Sequence, residues 1–163
     1  MEPPEATIVV ALIHKDTANI GWLGDSRVYS IVRGNDGFKA SLLTHDHSYV
    51  NALVDSGQKT LQEAVKMKEC HAITQSLGLV AAGEKIEPSF KELTLTGVVC
   101  LVGCSDGFWN YAHPNEYEPP FKIADLYKEV SSHDALEYAE SLIAFANNSG
   151  GHDNITVAVA MIA

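Results

Sequence analysis

The stretch Gly103-Cys104-Ser105-Asp106-Gly107-Phe108-Trp109 places an aspartate just after residues 98–103, an apolar run with the length and composition of a buried strand. The stretch Gly151-His152-Asp153-Asn154-Ile155-Thr156-Val157 has the reverse order, with an aspartate just before an apolar run. A third aspartate stands in Gly24-Asp25-Ser26-Arg27, between two further apolar runs. These stretches therefore predict three carboxylates at the ends of strands.

The three aspartates, Asp25, Asp106 and Asp153, allow two interpretations. Carboxylates at the ends of central strands can converge on one hard cation, and Mg²⁺ and Mn²⁺ prefer oxygen ligands. An aspartate at a strand end is, however, most often a turn residue that accepts a hydrogen bond from its own backbone. Asp25 has a further alternative, because it could pair with Arg27. The residues alone leave these alternatives open.

Length and composition indicate one soluble globular domain. The chain has 163 residues, of which 46% are hydrophobic and 20% charged, which is enough apolar material for one core. Its formal net charge of -10 repels phosphate backbones, so we expect no nucleic-acid binding. No apolar run approaches the roughly 20 residues needed to cross a bilayer, and residues 1–5 lack the basic start of a signal peptide. We therefore expect a cytoplasmic protein that does not bind membranes.

Apolar periodicity predicts strands at both ends of the chain and helices between them. Residues 7–13 and 19–23 indicate a hairpin, and their near-continuous apolarity suggests strands covered on both faces. Further strands are predicted over residues 28–32, 38–43, 89–95, 98–104 and 154–162. Helices are predicted over residues 47–56, 60–68 and 132–147, and a loop over 78–83. This order predicts an α+β sandwich of antiparallel sheets flanked by helices.

Several other residues are expected to have structural roles. Cys100 and Cys104 lie four apart on one strand run and therefore face the same side, where buried free thiols are expected. Trp22 and Trp109 are expected to pack in the core, and Asp46 to hydrogen-bond a loop. The seven histidines show no metal-binding spacing, so we expect them on the surface or in the core.

Five motifs, taken in their order along the chain, carry a resemblance to a known family. They are GDSR at 24–27, LTHDH at 43–47, TQSLG at 74–78, CSDG at 104–107 and DNIT at 153–156. The matching segment covers residues 8–161, nearly the whole chain. The chain thus resembles the metal-dependent serine/threonine protein phosphatases of type 2C, the PPM family, and more narrowly the C-terminal two thirds of their catalytic domain.

The resemblance implies a sandwich of two antiparallel sheets with helices on both sides, and hydrolysis of phosphoserine and phosphothreonine in protein substrates by a metal-activated water. It implies two catalytic Mn²⁺ or Mg²⁺ ions and, in a weaker site, a third. Asp106 and Asp153 would hold the first metal, and Asp106 with Asp25 the weakly bound third. Asn154 and Gly107 would not bind metal themselves but would lie beside these ligands, where Asn154 would orient Asp153.

The resemblance is incomplete at the start of the chain. The family's Asn-Glu-Asp and Asp-Gly-x-Gly-Gly segments, which carry the aspartate that bridges the two catalytic metals, have no counterpart here. Residues 1–163 are therefore expected to form a single, N-terminally incomplete domain. Gln75 also stands in place of the family's usual arginine, and Asn110 in place of a carboxylate found in some members.

These departures lower the expected activity of this chain alone to weak or none. The alternative function is a non-catalytic, phosphatase-like module that regulates or binds a partner. The missing segments also have a consequence for stability, because the strand over residues 8–12 risks becoming an exposed edge that is open to pairing with another chain.

Overall fold

Two antiparallel sheets face each other in the computed structural model, which describes residues 4–78, 85–131 and 134–162. The strands are, in chain order, β1 (Ile8–His14), β2 (Thr17–Leu23), β3 (Arg27–Gly34), β4 (Gly37–Leu42), β5 (Ser89–Thr94), β6 (Val98–Cys104) and β7 (Val157–Met161). The first sheet has the order β1-β2-β5, and the second has the order β4-β3-β6-β7. The predicted strands are thereby confirmed, and β6, expected to be central, lies inside the second sheet.

Five helices are described, three of which pack on the outer face of the second sheet. They are α1 (Tyr49–Asp55), α2 (Leu61–Ala64), α3 (Asp106–Ala112), α4 (Phe121–Glu129) and α5 (Ala135–Asn148). The helices α3, α4 and α5 contribute Phe108, Ile123 and Leu142 to a core that they share with β3 and β6. The antiparallel sheets and their flanking helices confirm the predicted α+β class.

The second core lies between the two sheets. Ile20 and Trp22 of β2 pack there against Val28 of β3 and Leu101 of β6. The neighbouring residue Tyr29 points to the opposite side, into the helical layer, because successive residues of a strand alternate between faces. The sheet that carries the aspartate-bearing ends is therefore packed on both faces, which fixes those ends in space.

The two predicted buried thiols are also found in the helical layer. Cys100 and Cys104 of β6 are buried, free of disulfide bonds and on the same face of the sheet. Burial raises the pKa of the Cys100 thiol to about 12, so this group stays protonated and unreactive at neutral pH. Their role is packing, as predicted.

The structure corrects several sequence-based boundaries. The helix predicted over residues 60–68 is a four-residue turn of helix, α2, although its capping box between Thr60 and Glu63 is present. The helices α3 and α4 were not predicted. The loop predicted over residues 78–83 lies outside the described residues apart from Gly78, and α5 begins at Ala135, after the N-cap residue Asp134.

Strand β1 is not covered on both faces as predicted. It is the edge of its sheet, with β2 as its partner, and both of its faces are exposed among the described residues. The exposed fraction is 51% for Val10 and 65% for Leu12 on the outer face, beside Phe90 of β5 at 79%. The prediction was wrong because an apolar sequence shows only that a strand is suited to burial on both faces. Burial itself requires that another part of the protein packs against each face.

The other open feature is a cleft of about 570 Å³ between the two sheets. It is lined on one side by Val9 and Ile13 of β1, and on the other by Leu101 of β6 and Ala158 of β7. Both β1 and β7 are edge strands of their sheets. The cleft is thus bordered by two strands that can each accept a further strand.

Candidate metal centre

Sheet pairing brings two of the three predicted metal ligands together. Asp25 lies in the turn between β2 and β3, and Asp106 is the first residue of α3, immediately after β6. Strands β3 and β6 pair in register with Arg27 opposite Cys104, so the two turns are adjacent at one end of the sheet. Burial raises the pKa of the Asp25 carboxyl, and the nearby charge of Asp106 raises it further. Two carboxylates therefore share one partly buried location.

Asp106 and Asp153 each accept a hydrogen bond from the turn in which they stand. The Asp106 Oδ1 atom accepts from the Gly107 N–H at 2.9 Å, and the Asp153 Oδ1 atom accepts from the Asn154 N–H at 2.7 Å. Both aspartates therefore act as turn residues, which was one of the two interpretations that the sequence allowed. This does not exclude a ligand role, because a carboxylate has two oxygens and about four lone-pair positions.

The segments that carry Asp106 and Asp153 are held together by Ser105. The Ser105 Oγ donates to the carbonyl oxygen of Asn154 at 3.2 Å and accepts from the Thr156 N–H at 3.1 Å. A backbone hydrogen bond from the Ser105 N–H to the Thr156 carbonyl, also 3.1 Å, adds a third connection. The start of α3 is therefore tied to the approach to β7.

Gly107 is placed where a side chain would not fit. A Cβ atom at this position would lie 2.3 Å from the carbonyl oxygen of Asn154, a distance that real Cβ contacts do not show. The two predicted supporting residues thus meet directly, through their backbones. Asn154 also contacts Asp153 through its backbone, because the Asn154 N–H donates to the Asp153 carboxylate.

Asp153 stands apart from the other two aspartates in its surroundings. It is exposed, whereas Asp25 and Asp106 are half-buried. Within the described ranges, no three His, Cys, Asp or Glu side chains come close enough together to hold a metal ion. The structure therefore pairs Asp25 with Asp106, and places Asp153 on the neighbouring loop without completing a three-carboxylate site.

Arg27 pairs with Asp46 and leaves Asp25 free of a direct hydrogen bond to its guanidinium. The Arg27 Nε and Nη2 atoms donate to the two carboxylate oxygens of Asp46 at 3.0 and 2.7 Å, and Nη1 donates to the carbonyl of His113 at 2.6 Å. Arg27 is 2% and Asp46 6% exposed, so this is a buried ion pair. Burial raises the pKa of Asp46 to about 6, against the lowering effect of Arg27. Asp46 thus has a larger role than the loop hydrogen bond predicted.

Trp109 was predicted to pack in the core, and it has a more specific place. Its Nε1–H donates to the carbonyl oxygen of Asp25 at 2.9 Å. The guanidinium carbon of Arg27 lies 3.7 Å from the centre of its ring, in a cation–π arrangement. Trp109 follows Asp106 by three residues, which brings these two side chains to neighbouring positions once α3 forms, but no local pattern indicates the contact with Asp25.

The turn that contains Asp25 is also held from the LTHDH stretch. The Gly24 N–H donates to the His47 Nδ1 atom at 3.1 Å, and the His47 N–H donates to the Gly24 carbonyl at 3.0 Å. On the other side, Ser26 shares a hydrogen bond of 2.9 Å with the Thr7 hydroxyl. The turn is thereby fixed on both sides of Asp25.

His45, from the same stretch, forms two charged contacts. Its Nε2 atom lies 2.8 Å from Asp55, and its Nδ1 atom lies 3.3 Å from the buried Glu116. The hydrogen bond with Glu116 raises the pKa of His45 to about 9, with a further contribution from Asp55 and against the effect of burial. Glu116 in turn accepts from the Asn51 side chain. His45 is therefore a cation that neutralises a buried carboxylate.

The donor set fits a divalent cation in part. Asp25 and Asp106 are oxygen donors of the kind that Mg²⁺ and Mn²⁺ prefer, and a cation between them would offset the burial and the repulsion from Asp106 that raise the pKa of Asp25. Two carboxylates are few for a tight protein site, since affinity increases with the number of charged ligands. The site is therefore chemically suited to a weakly held cation.

The paired sheets and their helical layer are shared with solved serine/threonine phosphatases of type 2C, and the chain is homologous to bacterial members of that group. It is 36% identical over 153 residues to protein phosphatase PhpP of Streptococcus pneumoniae, a match that covers 94% of this chain and 56% of that protein. No protein-family model matches the chain.

Solved structures with the same fold agree with this relationship. The serine/threonine phosphatase of S. agalactiae superposes with a TM-score of 0.79 at 34% identity, covering 98% of this chain and 60% of that one. The catalytic domain of the phosphatase PstP in complex with two manganese ions gives a TM-score of 0.68 at 26% identity, covering 96% of this chain and 58% of that one. The chain therefore spans a little more than half the length of the relatives it matches.

Proposed function

We propose that this chain forms part of a Mn²⁺- or Mg²⁺-dependent protein serine/threonine phosphatase that acts on phosphoserine and phosphothreonine in protein substrates. The observation that carries the proposal is the adjacency of Asp25 and Asp106 at the end of the β3–β6 pair, in a chain homologous to such phosphatases. Burial and the nearby charge of Asp106 both raise the pKa of the Asp25 carboxyl, so the ionised form of Asp25 is disfavoured unless a cation lies close to it.

In this proposal Asp106 holds the first catalytic cation together with Asp153, and the weakly bound third cation lies between Asp106 and Asp25. Bound divalent metals would supply a nucleophilic hydroxide at neutral pH and neutralise charge on the phosphoryl oxygens. The residues of the chain then have a positioning task. Ser105 ties the segments of Asp106 and Asp153 together through its side-chain hydrogen bonds, and Gly107 leaves the space that lets their backbones lie close.

The expected activity of the chain by itself is weak or absent, because two or three carboxylates do not form the binuclear clamp that such hydrolysis uses. A test is to compare Mn²⁺-dependent hydrolysis of p-nitrophenyl phosphate and of a phosphothreonine peptide by the chain alone with that of a fusion. The fusion carries, ahead of residue 6, the upstream part of the S. pneumoniae relative. We expect turnover from the fusion and none when it carries Asp106→Asn. A fusion that unfolds cooperatively, yet has no turnover, would overturn the proposal.

A second candidate function is a phosphatase-like module that binds a partner. The exposed edge of β1 and the apolar cleft that it shares with β7 favour this candidate, because both are able to accept a polypeptide strand. A folded but inactive fusion would favour it over the enzyme.

The same proposal includes the remaining sequence-based expectations. We expect a cytoplasmic location and no binding to nucleic acid or membranes. In the part of the chain that the structure describes, no helix is long and apolar enough to cross a bilayer. Fractionation of the producing cells, followed by detection of the chain in each fraction, tests the location.

A further inference from the structure

Trp109 connects the two paired carboxylates through one short helix. It lies on α3, one turn after Asp106, and its indole N–H donates to the backbone carbonyl of Asp25 at 2.9 Å. Helix α3 thus carries both the Asp106 carboxylate and the Trp109 N–H group that holds the turn containing Asp25. The position of Asp25 relative to Asp106 is therefore fixed by the short segment from Asp106 to Trp109 and by one hydrogen bond.

The indole ring is itself held in place by Arg27. The guanidinium carbon lies 3.7 Å from the ring centre, and the guanidinium is anchored by Asp46 and by the His113 carbonyl. Arg27 follows Asp25 by two residues, so the ring contacts the same turn at two points. A side chain that served only to fill space would require neither the hydrogen bond nor the stacked cation.

From these contacts, we propose that Trp109 is a positioning residue: it holds the Asp25 carboxylate toward Asp106 so that both can bind one divalent cation. This inference rests on the proposed function, because the cation is the reason for holding two like charges together. Without Trp109, the Asp25 turn would still be attached at Gly24 and Ser26 but not at Asp25 itself.

Trp22 provides a matched control within the same molecule. Its Nε1–H donates to the backbone carbonyl of His45 at 2.7 Å, and its side chain is buried, whereas that of Trp109 is half-buried. Trp22→Phe therefore removes the same kind of atom and the same kind of hydrogen bond as Trp109→Phe. The two substitutions differ in how directly they act on the Asp25 turn: Trp109→Phe frees the Asp25 carbonyl itself, whereas Trp22→Phe frees the 43–47 stretch, which contacts that turn through His47.

The first measurement uses the metal-free 163-residue chain. Backbone ¹⁵N relaxation in wild type, Trp109→Phe and Trp22→Phe reports the order parameter of each amide on the picosecond-to-nanosecond timescale. We expect a lower order parameter at residues 25–26 in Trp109→Phe and a clearly smaller change there in Trp22→Phe, which acts on this turn only indirectly, through His47. Equal values at residues 25–26 in all three proteins would overturn the proposal, whatever the chain does with metal.

The second measurement is Mn²⁺ binding by electron paramagnetic resonance of free Mn²⁺, with Asp25→Asn included. We expect Trp109→Phe to weaken binding about 3- to 10-fold, approaching the effect of Asp25→Asn, while Trp22→Phe stays near wild type. Equal losses in both tryptophan variants would assign Trp109 a general structural role and overturn the proposal. If wild type binds no Mn²⁺, the metal assignment of the proposed function fails, and the relaxation measurement still decides whether Trp109 positions Asp25.

Discussion

Gly107 and Asn154 approach each other so closely that a Cβ atom on residue 107 would lie 2.3 Å from the Asn154 carbonyl oxygen. Gly107 directly follows Asp106, and Asn154 directly follows Asp153. The neighbours of the two proposed ligands therefore lie side by side with no room for a side chain between them. A glycine is required here by the space available.

Gly107→Ala is expected to destabilise the fold by about 1–3 kcal/mol, because the backbone oxygen cannot move aside without shifting α3 or the loop. It is also expected to weaken Mn²⁺ binding by separating Asp106 from Asp153. Urea unfolding measures the first effect and calorimetry the second. Gly103→Ala is the control, because a Cβ atom there would contact Val9 at an ordinary 4.0 Å. Equal stability of the two variants would contradict the steric explanation.

Asp46→Asn is expected to cost about 3–5 kcal/mol of unfolding free energy, since it leaves the buried Arg27 without its counter-charge. The measurement is urea unfolding at pH 8, above the pKa of about 6 that burial gives Asp46 despite the opposing effect of Arg27. Asp55→Asn removes a half-exposed ion pair with His45 and should cost less than about 1 kcal/mol. A similar loss of unfolding free energy in both variants would contradict the larger contribution expected of the buried Arg27–Asp46 ion pair.

His45 is expected to make the stability of the fold decrease at alkaline pH. The hydrogen bond with Glu116 raises the pKa of His45 in the folded state to about 9, from 6.5 in the unfolded state. The folded state thus binds the proton more tightly, so the contribution is fully present below about pH 6.5 and is lost as pH rises through 9. Because the side chain is almost half exposed, solvent screening keeps this contribution below about 1 kcal/mol.

Urea unfolding between pH 6 and pH 10 measures this effect in wild type and His45→Gln. We expect the difference in stability between the two proteins to shrink toward the upper end of that range. His71→Gln serves as the control for a histidine in an exposed position. A difference that stays constant from pH 6 to pH 10 would contradict the role assigned to His45.

Leu12→Lys is expected to reduce self-association with little change in stability. Leu12 is 65% exposed on the edge strand β1, and a lysine on an edge opposes pairing with another strand. Light scattering during incubation at raised concentration gives the comparison. Leu136→Lys is the matched control, since Leu136 is 67% exposed but lies on a helix. Equal reductions would indicate that general hydrophobicity, and not the strand edge, causes association.

The sequence predicted the strands well because their apolar runs are bounded by turn residues. The strands around residues 33–37, for example, pair with Gly34 opposite Gly37, and the sequence Gly-Asn-Asp-Gly between them is typical of a hairpin turn. The helix α3 was missed because Gly107 lowers helix propensity inside it. The helix α4 was missed although Pro119 and Pro120 precede it, a pattern that is common at helix starts.

The positions of Asp25 and Asp106 at strand ends were predictable from the sequence, but the contacts around them were not. Asp25 and Asp106 could be placed at strand ends from the sequence, whereas their adjacency depends on the register of β3 against β6. The partners of Arg27 and Trp109 depend on the same register, because His113 and Asp25 are more than 80 residues away along the chain from Arg27 and Trp109 respectively. Local patterns contain no information on such distant pairings.

The most direct test is a calorimetric Mn²⁺ titration of the 163-residue chain and its Asp106→Asn variant, with p-nitrophenyl phosphate turnover measured in parallel. We predict weak binding, with a Kd of about 0.1 mM or above, that Asp106→Asn abolishes, and little or no turnover by the chain alone. Binding that Asp106→Asn leaves unchanged, or no binding at any concentration, would contradict the assignment of Asp106 as a metal ligand. Tight binding with turnover would contradict the claim that the site needs further ligands.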